Sequence, residues 1–183
     1  MIDINIKYRL TLLISCLTVS LLIVSALYPS LSRGFSLWES GTGSGKEAKD
    51  FTLKDLDGYD VSLSSFSGKT VLLNFWATWC PYCRKERAEL NDLHRKYYDK
   101  DLVIISIAWD KSLEKVRQYI SKNPVDFLVL SDSDGEVSES YGVRALPTNF
   151  LIDRDGRIRN KYSGYRKWTD PASVGVFQEL LGR

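Results

Sequence analysis

Val71-Leu72-Leu73-Asn74-Phe75-Trp76-Ala77-Thr78-Trp79-Cys80-Pro81-Tyr82-Cys83-Arg84 is the stretch on which the reading of this chain turns. Its first half is almost wholly apolar, the pattern of a strand covered on both faces. Pro81 then opens a helical pattern, and proline suits a first helical position because its missing N–H would be unpaired there anyway. Cys83, Leu90, Leu93 and Tyr97 follow on one helical face. The two cysteines therefore sit where a buried strand hands over to an amphipathic helix. Cys80 falls at the N-cap, where unpaired amides and the helix dipole favour a thiolate, the dipole alone by ~0.3–1 kcal/mol, or up to ~2 when partly buried. This predicts an exposed nucleophile at Cys80. Cys83, one turn in and on the apolar face, is predicted to be the more buried partner that resolves a mixed disulfide. Half of a zinc site is the competing reading, but a structural zinc needs four ligands. The one histidine, His94, lies about 16 Å further along the helix axis. No metal site is expected.

Working outward, Leu102-Val103-Ile104-Ile105-Ser106-Ile107-Ala108-Trp109 reads as a second buried strand. A helix over 112–121 stops at Asn123-Pro124, and residues 125–130 read as a third strand. Two successive β-α-β units predict a parallel sheet with right-handed crossovers. Beyond them the pattern changes. Strands over 148–152 and 157–162 flank the turn Asp153-Arg154-Asp155-Gly156, and a last helix runs over 171–181. Upstream, Phe51-Thr52-Leu53 and Tyr59-Asp60-Val61-Ser62-Leu63 flank the turn Leu56-Asp57-Gly58, which predicts a β-hairpin. The predicted class is α/β, with a mixed central sheet flanked by helices and an N-terminal hairpin extension.

Residues 10–28 carry no charge, and as a helix they reach nearly 30 Å, about one hydrocarbon core. Lys7 and Arg9 precede them, which places residues 1–9 in the cytoplasm and the rest outside. An uncleaved transmembrane anchor is the favoured reading. The alternatives are a signal peptide cleaved near Ala26 and lipidation at Cys16, where Leu13-Ile14-Ser15-Cys16 resembles a lipobox. Lipidation fits poorly, because the apolar run continues to Tyr28. Residues 29–49 form a linker, flexible and rich in Gly, Ser and Lys from Ser40 onward, and the globular domain spans 50–183.

The composition narrows the function. A net charge of +2 over 183 residues gives no reason to expect a nucleic-acid partner. Three cysteines are too few for a disulfide scaffold. Gly41-Thr42-Gly43-Ser44-Gly45-Lys46 resembles a phosphate loop, but it lacks the first glycine, the final Ser/Thr and a preceding strand. Asp132-Ser133-Asp134-Gly135 fails the spacing of a calcium loop and reads as a turn. Arg157, Arg159, Lys161, Arg166 and Lys167 read as a charged, solvated edge.

The quoted segment resembles the active-site segment of thioredoxin-like proteins. Tyr141-Gly142-Val143-Arg144-Ala145-Leu146-Pro147-Thr148-Asn149-Phe150 is similar to their proline loop. The nearest subgroup is the membrane-tethered set typified by TlpA, ResA and DsbE, and the likeness covers residues 50–181. The resemblance implies a thioredoxin-like fold and a redox-active Cys80–Cys83 disulfide as the only redox group. It implies that Pro147 is held in cis, which exposes the Leu146 backbone to an extended substrate. Trp79, Pro81 and Tyr82 would complete the substrate face, with Trp76 in the core. General thioredoxins carry a buried aspartate where this chain has Asn74, and an amide cannot accept the proton. The tethered subgroup places an acid just after the next strand. Asp110 matches it, and is expected either to take the Cys83 proton or to be a solvated cap of the following helix. Glu86 is a weaker candidate and is expected at the surface.

The resemblance implies a single-pass protein of the bacterial inner membrane with its catalytic domain on the periplasmic side. Its implied partners are protein thiols and disulfides, among them apocytochrome c cysteines awaiting haem. A membrane thiol-electron transporter would supply the electrons. Competing functions are a general envelope oxidant or reductant, a peroxidase, and a non-enzymatic copper-binding maturation factor. Peroxidatic sites use Thr-x-x-Cys, and Thr78-Trp79-Cys80 is one residue short. The copper signature is Cys-x-x-x-Cys with a distant histidine, whereas this chain has Cys-x-x-Cys and no suitable histidine.

Overall fold

The computed structural model describes residues 45–182. The expected anchor over 10–28, Cys16 and most of the 29–49 linker lie outside the described residues. Among the described residues, no helix is long and apolar enough to cross a membrane.

The elements are β1 (Thr52–Asp55), β2 (Asp60–Ser62), β3 (Thr70–Trp76), α1 (Pro81–Tyr97), β4 (Leu102–Ala108), α2 (Leu113–Lys122), β5 (Leu128–Ser131), α3 (Glu136–Ser140), β6 (Thr148–Ile152), β7 (Ile158–Ser163) and α4 (Pro171–Leu181). They build one mixed sheet in the order β2-β1-β5-β4-β3-β6-β7. β3, β4 and β5 run parallel, and β6 returns antiparallel to β3. The parallel strands are nearly continuous apolar runs because both faces are covered. Leu73, Phe75, Ile105 and Ile107 pack on one face with Val137, Tyr141 and Phe150. Leu72, Ile104 and Leu151 pack on the other with Leu90, Leu93 and Tyr97 of α1 and Phe177 and Leu180 of α4.

Three local features differ from the sequence reading. Residues 125–127 are not part of the strand. Asp126 N–H donates to Asn91 Oδ1 of α1 and its carboxylate takes Arg95, so this stretch is tied to the helix and β5 begins at Leu128. A short helix, α3, went unpredicted. Its first amides are held by buried Asp132, which accepts from Val137 N–H, Ser138 N–H and Ser138 Oγ. Gly135 precedes it at φ +82°, and a Cβ there would stand 2.6 Å from the Trp109 indole nitrogen, so only glycine fits. Finally, pairing starts ahead of Asp50, because Glu47 bridges to Arg157 and Ala48 N–H donates to Gly156.

Two joints aim the chain at its reactive end. β3 is buried along its whole length and ends at Trp76, and α1 starts at Pro81. β4 ends beside it, with Trp109 N–H donating to Trp76 C=O at 2.8 Å. The carboxyl ends of the two central strands thus present Thr78–Cys80 and Asp110 together, the usual place for a site in an open parallel sheet.

Candidate active site

Cys80 is the N-cap of α1, in extended backbone conformation, and Pro81 follows at the first helical position. The Cys83 N–H donates to Cys80 Sγ at 3.2 Å. The sulfur thus occupies the place that a serine or aspartate oxygen takes in an ordinary cap. Cys80 and Cys83 are joined by a disulfide, with Cα atoms 5.3 Å apart.

Burial does not separate the two cysteines as the sequence reading expected. Cys80 is 3% exposed and Cys83 4%. The reason lies in the neighbours: both sulfur-bearing residues belong to one cluster with Trp76, Ala77, Ala108 and Val116. What distinguishes them is position on the helix, one capping its first turn and the other inside it. Around them Trp79 (66%), Tyr82 (64%) and Pro81 are exposed. Leu146 packs against the same cluster, and the Leu146–Pro147 peptide is cis. Pro147 is buried and its carbonyl accepts from Gly164 N–H at 2.7 Å. The two segments quoted from the sequence therefore meet at the disulfide.

Asp110 is buried and faces Thr78. It accepts from Thr78 N–H at 2.8 Å and from Thr78 Oγ1 at 2.6 Å. It is neither solvated nor a helix cap, since Ser112 caps α2 by accepting from Lys115 N–H. Asp110 instead ties the end of β4 to the residues leading into Cys80.

Glu86 corrects the sequence reading. It is 0% exposed, one turn beyond Cys83 and on the same face of α1. Its carboxylate accepts from Asn149 Nδ2 (3.1 Å), Arg166 N–H (3.1 Å), Trp168 Nε1 (3.0 Å) and Asn74 Nδ2 (3.3 Å). Asn74 in turn donates to Asn149 Oδ1 at 2.8 Å and accepts from Ser106 Oγ at 3.0 Å. Burial outweighs the four donors and pushes the Glu86 carboxyl up to about 7. Asn74, which as an amide cannot accept the proton, is thus one of the groups that hold buried Glu86. The helical spacing from Cys83 was the available signal, and the charge of Glu86 hid it.

Next to Glu86, Arg87 is also buried. Its guanidinium carbon lies 4.0 Å from the Trp76 ring centroid and 5.1 Å from that of Tyr119. Burial draws its proton affinity down from the ordinary arginine value. His94 packs beside Tyr98 and Phe127, near the other end of α1 from the cysteines. Among the described residues, no cluster of three or more His, Cys, Asp or Glu could hold a metal ion.

Comparison with known proteins agrees with this geometry. The AhpC/TSA family matches residues 44–161. The thiol-disulfide oxidoreductase ResA of Bacillus thuringiensis subsp. konkukian is 38% identical over 146 residues, 80% of this chain and 84% of that protein. Among solved structures, a candidate thiol:disulfide interchange protein DsbE from Chlorobium tepidum superposes with a TM-score of 0.71 at 33% identity. That match covers 75% of this chain and 97% of the other. The thioredoxin domain of a thiol-disulfide oxidoreductase from Bacteroides vulgatus gives 0.66 at 29% identity, covering 74% and 96%.

Proposed function

This chain belongs to the AhpC/TSA family and is a thioredoxin-like thiol–disulfide oxidoreductase, and from that premise we propose that it is an extracytoplasmic dithiol reductant of apocytochrome c cysteines. The observation that carries the reading is the Cys83 N–H donated to a Cys80 sulfur at the head of a helix. In the reduced protein that amide and the helix dipole favour the Cys80 thiolate. The thiolate attacks one sulfur of the substrate disulfide, forming a Cys80–substrate mixed disulfide and releasing the first substrate thiolate. Cys83 loses its proton and attacks Cys80 Sγ. The second substrate thiol leaves, the Cys80–Cys83 disulfide closes, and two electrons have passed to the substrate.

The proton of Cys83 goes to a buried carboxyl. Asp110 is one acceptor or relay, and Glu86 is the better supported. Glu86 shares the helix face of Cys83, and a carboxyl near 7 is half ready to accept at neutral pH. Trp79, Pro81, Tyr82 and Leu146 form the exposed or half-exposed surround on which the substrate chain lies, with Pro147 at its base.

Residues 10–28 anchor the protein in the bacterial inner membrane, with the catalytic domain on the periplasmic side. The uncharged run preceded by Lys7 and Arg9 supports this. A membrane thiol-electron transporter regenerates the dithiol, since an oxidising compartment does not. The test is genetic and chemical together. Deletion should lower holocytochrome c, and an added small thiol should restore it. Cys83→Ala should trap apocytochrome c on Cys80. Normal cytochrome in the deletion strain, with other envelope proteins trapped, would assign the chain to general envelope exchange instead.

A further inference from the structure

Beside the disulfide lies a cavity of about 320 Å³ that the mechanism above does not use. Thr78 and Trp79, the two residues ahead of Cys80, form one wall. Arg84 of α1 and Lys115, Gln118, Tyr119 and Lys122 of α2 form the rest. The three cations are exposed, and among the described residues none of them forms a salt bridge. Behind Tyr119 stands a fourth cation, buried Arg87, whose Nε and Nη1 have no hydrogen-bond partner among the described residues. The acids nearest in the chain are already engaged. Asp110 accepts both Thr78 donors, and Glu114 accepts from Gln118 Nε2 at 3.1 Å and lies 3.9 Å from Arg117.

Three positive groups line one concavity, with no carboxylate paired to them among the described residues and a buried fourth, Arg87, behind Tyr119, and they make a site for negative charge. Its place selects the source. A group seated against Thr78 and Trp79 is within one or two residues of the attacking sulfur. Building on the redox reading above, we propose that this cavity receives acidic side chains flanking the cysteine of the protein substrate. The chemistry is selective docking: the cations align the acidic flank, and the exposed Trp79 ring covers the peptide between it and Cys80.

The test uses the full chain in neutral detergent and two ten-residue peptides that differ only in Glu or Gln on either side of one cysteine. For exchange, each cysteine is capped as its mixed disulfide with 2-mercaptoethanol, which the reduced protein cleaves to peptide thiol and 2-mercaptoethanol. The ratio of kcat/KM for the acidic over the neutral peptide should be about tenfold in about 20 mM salt and fall towards one at about 0.5 M. The combined Arg84→Gln, Lys115→Gln, Lys122→Gln variant should bring the ratio to about one at low salt. The same loss of charge at exposed Lys49, Lys96 and Lys100 should leave it unchanged. Because each result is a ratio, a general change in Cys80 reactivity cancels.

Binding of the same peptides with Ser in place of Cys, followed by calorimetry, reads docking without chemistry. Equal rates and equal binding for the two peptides would overturn the proposal and leave the redox reading intact. Preferential binding of the acidic peptide, lost in the triple variant, but with neither disulfide cleaved, would uphold the docking site and remove the redox reading. Binding of glycerol phosphate in preference to the acidic peptide would make the cavity a lipid-headgroup site, and the proposal would fall.

Discussion

Two carboxyls are buried near the cysteine pair, and their surroundings give them opposite characters. Asp110 sits at the end of β4 with a backbone amide and a hydroxyl from Thr78 aimed at separate oxygens. Glu86 sits deeper, with donors drawn from β3, β6 and the segment before α4. The first is a brace for the segment that carries Cys80. The second keeps its proton to about pH 7 because desolvation outweighs its donors. The same functional group is held by one residue's two donors in one place and by donors from three segments in the other. Burial depth and donor geometry decide its character, not residue type.

The largest expected effect tests the Glu86 side. Glu86→Gln should slow disulfide exchange at pH 7 by roughly 10- to 100-fold, at or below the usual range for losing a general base. It should also flatten the pH–rate profile around 7. Asp110→Asn should slow exchange by much less at the same pH. If it slows exchange further than Glu86→Gln does, the two roles are reversed.

The next effect is on stability. Glu86 has a higher proton affinity folded (about 7) than in an unfolded chain (about 4.5). The unfolded state therefore loses its proton first as pH rises. The stability tied to protonated Glu86 is fully present below about pH 4.5 and is lost as pH climbs through about 7. The loss totals about 3 kcal/mol. Denaturant midpoints between pH 4 and 8 should record that loss in the wild-type protein, and Glu86→Gln should remove this component.

Smaller effects probe the brace. Asp110→Asn puts an amide where two donors converge and should cost about 1–3 kcal/mol by urea unfolding. Thr78→Val removes the hydroxyl but keeps the backbone amide, and should cost about 1 kcal/mol. If Thr78→Val is the more damaging of the two, the brace is carried by packing rather than by the hydrogen bonds.

The strand–helix joint was legible because its signals are local. A continuous apolar run, a proline at the helix start and a cysteine on either side of a turn all lie within a few residues. The proline loop was legible through a motif. The Glu86 network was not, because its partners lie 12, 63, 80 and 82 residues away in the chain. A charged residue on a helix reads as solvent-facing until those partners are in view. The late start of β5 had a similar cause, since Asn91 and Arg95 on a distant helix hold Asp126 away from the sheet. α3 is too short to carry a periodic signal, and its amides depend on a buried Asp132 that looks in sequence like one more turn residue.

The hairpin β1–β2 lies antiparallel along β5, where the parallel core of the sheet would otherwise stop. Its consequence is for life in a crowd. The apolar rim of β5 is closed off, and the sheet ends in a three-residue strand on one side and in β7, with Arg159 and Lys161, on the other. Neither border offers a neighbouring copy a long, uncharged ladder to join. Many such molecules can therefore stand close together without zipping into fibres, and their reactive sulfurs stay free to meet clients.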